Sequence, residues 1–346
     1  MTLSAMWQRL PRFLRILLKR LPMVIPQVLG VIFVTFMLVR LLPGDPALLM
    51  LGNMATEESI QNLRDQLGLN DSLLEQFVSY LGGVVRGDLG ISLFTSNPVA
   101  VDLMERAPAT LEMIFYAMLL TVLIGVTVAV LAVVRPGGVA DYISRFYGMA
   151  AGAIPDFWVG LLLIFFLFSV LGIAPAPFGR IDPMVTPPPT ITGFYTFDAL
   201  MTGNFDAFRS AVERLILPVL TLTIVNAGAL MKMSKTAFAD IWRADFIRHQ
   251  RASGLPQGRI IRNALRNSLP PVITLVGFLM GFLLGAAVLV ETIFSWGGLG
   301  QYAVQAVTYS DYPALQGFVL VAAVFILVVY LVVDILYELT DPRIQT

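Results

Sequence analysis

The chain of 346 residues is 57% hydrophobic and only 13% charged, and its 23 basic and 23 acidic side chains cancel to a formal charge of zero. A soluble domain carries roughly a quarter charged residues, so a mean hydropathy of +0.79 excludes a soluble protein and describes an integral membrane one. Neutral charge leaves no electrostatic footprint for nucleic acid. The absence of cysteine removes disulfides, iron–sulfur clusters, thiol nucleophiles and thiolate zinc sites together. One histidine, His249, leaves no second imidazole for a metal cluster, and none of the three lysines follows a glycine as a phosphate-binding loop requires.

A helix needs about 20 mostly apolar residues to cross the hydrocarbon core. Six segments meet that length: Leu21–Leu42, Glu112–Val134, Phe146–Leu171, Glu213–Met233, Pro270–Val290 and Leu315–Glu338. The first has a basic flank, but its apolar run is too long for a signal peptide and no small-x-small site follows, so it is read as a retained span. The third contains Pro155, and beside it Asp156 is an acid near the middle of a span. Such a carboxylate faces a cavity or a partner rather than lipid; lining a pathway and bonding to neighbouring helix groups are both open. Asn226 in the fourth span is a weaker case of the same kind.

The fifth span opens with Pro270-Pro271 and carries Gly277, Gly281 and Gly285 on one face, a spacing that permits close helix contact within the bundle or at a dimer seam. Glu291 and the glycine-rich turn after it shape a gate or form an interface turn anchored by Trp296.

Lysine and arginine in the connecting segments set the orientation. Sixteen of the 23 fall in the N-terminal segment, the 135–145 link, the 232–266 segment and the tail, all on one side of the spans. Both termini are therefore expected in the cytoplasm.

The first outer segment, Pro43–Leu111, is too long for a simple connection. Thr56 reads as the N-cap of a helix with acids in its first turn that Gly68 ends. A second amphipathic helix follows over Leu73–Val85, and Gly87-Asp88-Leu89-Gly90 breaks it. Nine acids against three arginines give this small helical subdomain a charge of −6, but they are spread over helices and do not make a calcium loop. The second outer segment, Gly172–Val212, holds Pro187-Pro188-Pro189 and reads equally as a stiff lid or strut and as a variable linker.

On the inner side, Thr236–Ser253 reads as one helix, Gly254 as its terminator and Pro256 as the start of another. On that second helix Ile261, Ala264, Leu265, Ser268 and Leu269 share one face, and Arg259, Arg262 and Arg266 share another. The basic face suits anionic headgroups or a docking partner.

Arg251-Ala-Ser-Gly254-Leu255, followed by Ala264-Leu-Arg-Asn-Ser-Leu-Pro-Pro271, resembles the coupling loop of inner-membrane permease subunits of binding-protein-dependent ABC importers. The nearest branch is the dipeptide, oligopeptide and nickel one, first-permease type. The likeness extends over almost the whole chain. It takes in Arg40-Leu-Leu-Pro-Gly-Asp-Pro46, Leu67-Gly-Leu69, Arg86-Gly-Asp-Leu-Gly90, Ala107-Pro-Ala-Thr-Leu-Glu112 and Ile154-Pro-Asp-Phe-Trp158. It continues in Glu291-Thr-Ile-Phe-Ser-Trp-Gly-Gly-Leu-Gly300, Asp311-Tyr-Pro313, Asp334 and Asp341-Pro-Arg343. Two departures stand out: the acid-Ala-Ala triplet of the general loop falls on Arg248-His249-Gln250, and the spacing from Gly254 to the proline pair is longer.

The resemblance implies an all-α membrane protein with six transmembrane helices and a type I ABC importer permease fold, both termini cytoplasmic. Residues 1–108 would form the N-terminal segment, first helix and external subdomain. Residues 109–338 would form a transmembrane core with its coupling loop at about 236–269, and 339–346 a tail. Arg248, Arg251, Ala252, Gly254, Leu255, Arg259 and Arg262 would meet an ATP-hydrolysing subunit. Asp156, Asn226 and Glu291 would belong to the translocation pathway, with Asp156 meeting the N-terminal ammonium of a peptide.

The implied partners are a second homologous permease in a heterodimer, two ATP-binding subunits and an external solute-binding protein, in the lipid of a bacterial inner membrane. ATP and Mg would sit on the ATPase partners, with no cofactor and no enzymatic activity in this chain. Two rivals are weaker. A stand-alone secondary transporter usually shows an internal repeat and several intramembrane charges, and an intramembrane Ser/His hydrolase is disfavoured because the one histidine lies in the inner segment.

Overall fold

The computed structural model describes residues 12–41, 48, 55–66, 68–150 and 152–340. Leu42–Pro46, Leu67, Arg9 and Asp341–Arg343 lie outside them. The described residues are helical apart from connecting turns and one isolated β-bridge between Ile91 and Pro98. Among the described residues, four helices are long and apolar enough to cross a membrane. They are α4 (Val99–Val134), α8 (Phe205–Trp242), α10 (Gln257–Ile293) and α12 (Tyr312–Thr340).

The first expected span lies in α1 (Arg12–Leu41), whose apolar stretch Pro22–Met37 is shorter. The third is not one helix: α5 (Val139–Ala150) ends before Gly152, α6 (Asp156–Leu163) starts after Pro155, and a π-helical turn follows over Ile164–Val170. Gly152, at φ +85°, and Pro155, without an N–H, account for the break.

The long helices also outrun their apolar windows. Helix α4 begins thirteen residues before Glu112 and contains Pro108, and α10 begins at Gln257 with the Pro270-Pro271 pair inside it.

The chain divides into two compact units. One comprises residues 1–108 with 298–327. Its core is Val99, Leu103, Leu299, Tyr302, Ala306 and Ala314, drawn from the start of α4, from α11 (Leu299–Thr308) and from α12. Thr56 caps α2 (Glu57–Gln66) by accepting from the Ser59 N–H at 3.3 Å. Ser72 and Glu75 form a reciprocal capping box on α3 (Leu73–Arg86), which Gly87 ends at φ +79°. Phe77 of α3 meets Phe33 and Phe36 of α1 edge-on at 5.5 and 5.4 Å. The rest of its apolar stripe, Leu74 and Val78, is 72% and 59% exposed. Ser92 donates to buried Asp311 at 2.5 Å, which also accepts the Phe94 and Ala314 N–H groups.

The other unit comprises residues 109–297 with 328–346. Helix α8 lies at its centre, packed by α5, α6, α7 (Tyr195–Thr202) and α10. Gly125 lets α4 approach Leu230, and Gly160 lets α6 approach Thr221. The glycine row of α10 divides in use: Gly277 packs onto Val333 of α12, while Gly285 faces open space.

A methyl group at Gly317 would lie 2.5 Å from Val99 Cγ1 and 2.9 Å from Leu103 Cδ1. Gly317→Ala is therefore expected to lower stability by about 1–3 kcal/mol through overpacking, read as a lower melting temperature in detergent. Gly285→Ala, with nothing within 4 Å, should leave it unchanged.

Candidate functional site

The basic segment between α8 and α10 folds as an elbow. Helix α8 stops at Trp242, Arg243 and Ala244 turn the chain, and α9 (Asp245–Ala252) follows. Gly254 takes φ +70°, and Pro256 in extended conformation opens α10. Thr236–Ser253 is thus two helices, contrary to expectation. No glycine or proline marks the break; Ile247, 0% exposed, must turn inward to join Phe238, Ile260 and Ala264 in the elbow core. Val133, Val134 and Leu255 close that core.

The expected coupling residues separate by position. Leu255 packs inward, and the Arg251 guanidinium lies 4.3 Å over the Trp242 ring, bracing α9 against α8. Arg248, Ala252, Gly254, Arg259 and Arg262 are exposed, with Arg248 paired to Asp245 at 2.5 Å. A Cβ on Gly254 would meet nothing within 4 Å, so its requirement is the left-handed backbone rather than space. Phe246, 40% exposed, and His249 stand on the outward side of α9. Their one-turn spacing identifies them once the limits of α9 are known, but those limits carry no sequence mark.

The three expected pathway residues differ. Asp156 is the first residue of α6, at the break in the third span, and its Oδ1 is enclosed with no hydrogen-bond partner among the described residues. Asn226 is 3% exposed and donates to the Leu222 carbonyl of its own helix at 2.7 Å. Glu291 is 0% exposed and accepts from the Thr110 hydroxyl. Trp296 is 2% exposed and donates to the Ala109 carbonyl at 2.9 Å, so it is an interior tie and not an interface anchor.

The proline-rich segment after the third span is fastened by polar contacts. Arg180 pairs with Glu112 of α4 at 2.6 Å, donates to the Gly193 carbonyl at 2.7 Å, and lies 3.8 Å over the Tyr195 ring. Glu112 also accepts from the Thr196 N–H and hydroxyl at 2.9 and 2.6 Å. Burial alone would raise the Asp198 carboxyl. The Thr192 hydroxyl and the N–H groups of Thr192, Ile191 and Gly193 outweigh it and hold the carboxyl below the usual carboxylate range. Arg214 donates to the Ala176 and Phe178 carbonyls and pairs with Asp182 at 2.9 Å. The segment is a bolted strut.

Over residues 121–346 the chain matches the family described as binding-protein-dependent transport system inner membrane component, and over 13–114 the N-terminal family of such membrane components. It is 37% identical to the dipeptide transport system permease protein DppB of Alkalihalophilus pseudofirmus, over 95% of this chain and 98% of that one. The probable D,D-dipeptide transport system permease protein DdpB of Escherichia coli is 41% identical, over 92% and 93%. The dipeptide transport system permease protein DppB of E. coli is 37% identical, over 96% and 99%.

Removing one partner of a buried ion pair costs about 3–5 kcal/mol, whereas an exposed pair is worth about 0–1 kcal/mol. Glu112→Ala is expected to destabilise by the larger amount and to expose residues 172–212 to protease. Arg209→Ala, which breaks the exposed pair with Glu213, should change neither the melting temperature nor the cleavage rate.

Proposed function

The chain belongs to the family of binding-protein-dependent transport system inner membrane components, and from that membership we propose that it is a peptide-carrying permease whose elbow receives the stroke of a separate ATPase. Permease subunits of this kind work with an ATPase and leave ATP hydrolysis to it, and membership gives no support to a stand-alone secondary transporter. The observation that carries the elbow assignment is a solvent-facing surface, Phe246, Arg248, His249, Ala252, Gly254, Arg259 and Arg262, held on a closed apolar core. A rigid seat transmits a push, whereas a flexible loop absorbs it.

The remaining parts of the proposal follow from the charge distribution and the relatives. Helix α1 and the pieces of the third span complete six crossings with both termini in the cytoplasm, in a type I importer arrangement. The acidic segment of α2 and α3 meets the incoming solute-binding protein, and a second, related permease forms the other half of the pathway. Dipeptide-class cargo is inferred from the names of the relatives. Asn226 and Glu291 are enclosed by the chain itself, so the pathway assignment narrows to Asp156. Its unpartnered oxygen stands at the start of a broken helix, where a peptide ammonium would complete its hydrogen bonding.

Ala252→Trp, on the exposed elbow surface, and the pair Arg259→Glu with Arg262→Glu should leave the chain folded. Uptake and substrate-stimulated ATP hydrolysis in reconstituted vesicles should fall by about tenfold, the effect of ~1.4 kcal/mol of lost docking energy. Wild-type rates in both variants would remove the docking assignment. For Asp156→Asn, uptake of peptides with a free N-terminus should fall severalfold, and unchanged uptake would remove its pathway role.

A further inference from the structure

Helix α5 is inside out. Its buried side chains are Asp141, 4% exposed, and Ser144, 6%, whereas Val139, Phe146 and Met149 are 77%, 75% and 76% exposed. Apolar packing therefore contributes little to holding it against α8, and polar contacts take that role. The Asp141 carboxylate accepts from the Gly137 N–H at 3.0 Å, from Arg145 Nη2 at 2.7 Å and Nε at 3.3 Å, and from Lys235 Nζ of α8 at 2.7 Å. Lys235 also donates to the Ser144 hydroxyl at 2.7 Å, and that hydroxyl donates to the Asp141 carbonyl at 2.9 Å. Farther along, Tyr147 donates to the Ile224 carbonyl of α8.

Arg145 is 66% exposed and sits on the same helix as Asp141, so the ionic tie between the helices is the one to Lys235, 28% exposed. Lys235 stands one turn before Phe238 and two turns before Trp242, both of which pack in the elbow core. The ionic contact thus joins the helix that opens the third span to the turn of α8 that seats the elbow.

We propose that Asp141 is a positioning residue that links the broken third span to the elbow through Lys235, so that displacement of the elbow carries α5 with it. This rests on the elbow being the surface that meets the ATPase.

The test uses the full importer in proteoliposomes with its binding protein and a dipeptide. Asp141→Asn and Lys235→Met each remove one charge at nearly constant size. Each should raise the ATP hydrolysed per peptide imported by about fivefold, the lower end of measured coupling between sites. Basal ATP hydrolysis and subunit co-purification should not change. Exchanging the charges, Asp141→Lys with Lys235→Asp, should bring the ratio back towards wild type.

The chain has no cysteine, so spin labels placed at Met149→Cys and Ser253→Cys before assembly with the other subunits report the α5–elbow distance. That distribution should broaden in Asp141→Asn and narrow again in the exchanged pair. An unchanged ratio in both single variants overturns the proposal, as does loss of the assembled complex in single and exchanged variants alike. A crosslink from Ser253→Cys to the ATPase subunit separates the two ideas. Its absence in otherwise wild-type importer removes the elbow assignment, whereas its presence with an unchanged ratio removes only the role of Asp141.

Discussion

A charged group taken out of water must be paired or fully hydrogen-bonded, and that constraint determines how the connections between the apolar helices are held. Hydrocarbon side chains gain little from choosing one neighbour over another inside a bilayer. Specific attachment therefore falls to the few ionised groups. Glu112 with Arg180 fastens the strut, Asp141 with Lys235 fastens α5, and Asp311 with the Ser92 hydroxyl closes the smaller unit. Each joins segments far apart in the chain. Each also sits where a loop meets a helix end, the place where backbone groups need partners in any case.

The elbow is built on the opposite principle. Its interior is apolar, with Phe238, Ile247, Ile260 and Ala264 enclosed, and its charges stand outward. A small segment exposed to water can use the hydrophobic effect that the spans cannot. The result is a compact knob whose outer side chains face solvent over a closed apolar seat. The stacking of Arg251 on Trp242 belongs to that seat, which is why a residue that looks like part of a basic docking face serves to hold α9 in place.

Much of this was legible in the sequence where a residue has a single strong local use. Thr56 as a cap, Gly87 and Gly254 at positive φ, and Pro256 as a helix start all carry their own explanation. Hydropathy located the long spans but cut them short, because it reports the surrounding solvent while hydrogen bonding continues past the bilayer; α4 and α10 each gain more than three turns in this way. The break at Arg243–Ala244 was not legible, since Ile247 turns inward only to meet Ile260 and Ala264 beyond the bend. The pairs Glu112–Arg180 and Asp141–Lys235 were equally hidden: their members are 68 and 94 residues apart, and nothing local distinguishes either acid from a solvated one. Among the expected site residues, the exposed elbow set lay where the spacing placed it, whereas Asn226 and Glu291 proved to be enclosed.

The π-helical turn Ile164–Val170 has a mechanical consequence. There the Leu171 N–H donates to Phe166 and the Ala174 N–H to Leu167, wider rings than those of an α-helix. With the interruption at Gly152–Pro155, the stretch Val139–Val170 is cut into separate helical pieces, whereas α4, α8 and α10 each run on as one helix through their internal prolines. It bends at its two junctions for less energy than an unbroken rod of equal length. The four long helices are struts and this span is a spring: under an applied load, deflection concentrates between Gly152 and Val170, in the stretch that holds the carboxylate of Asp156.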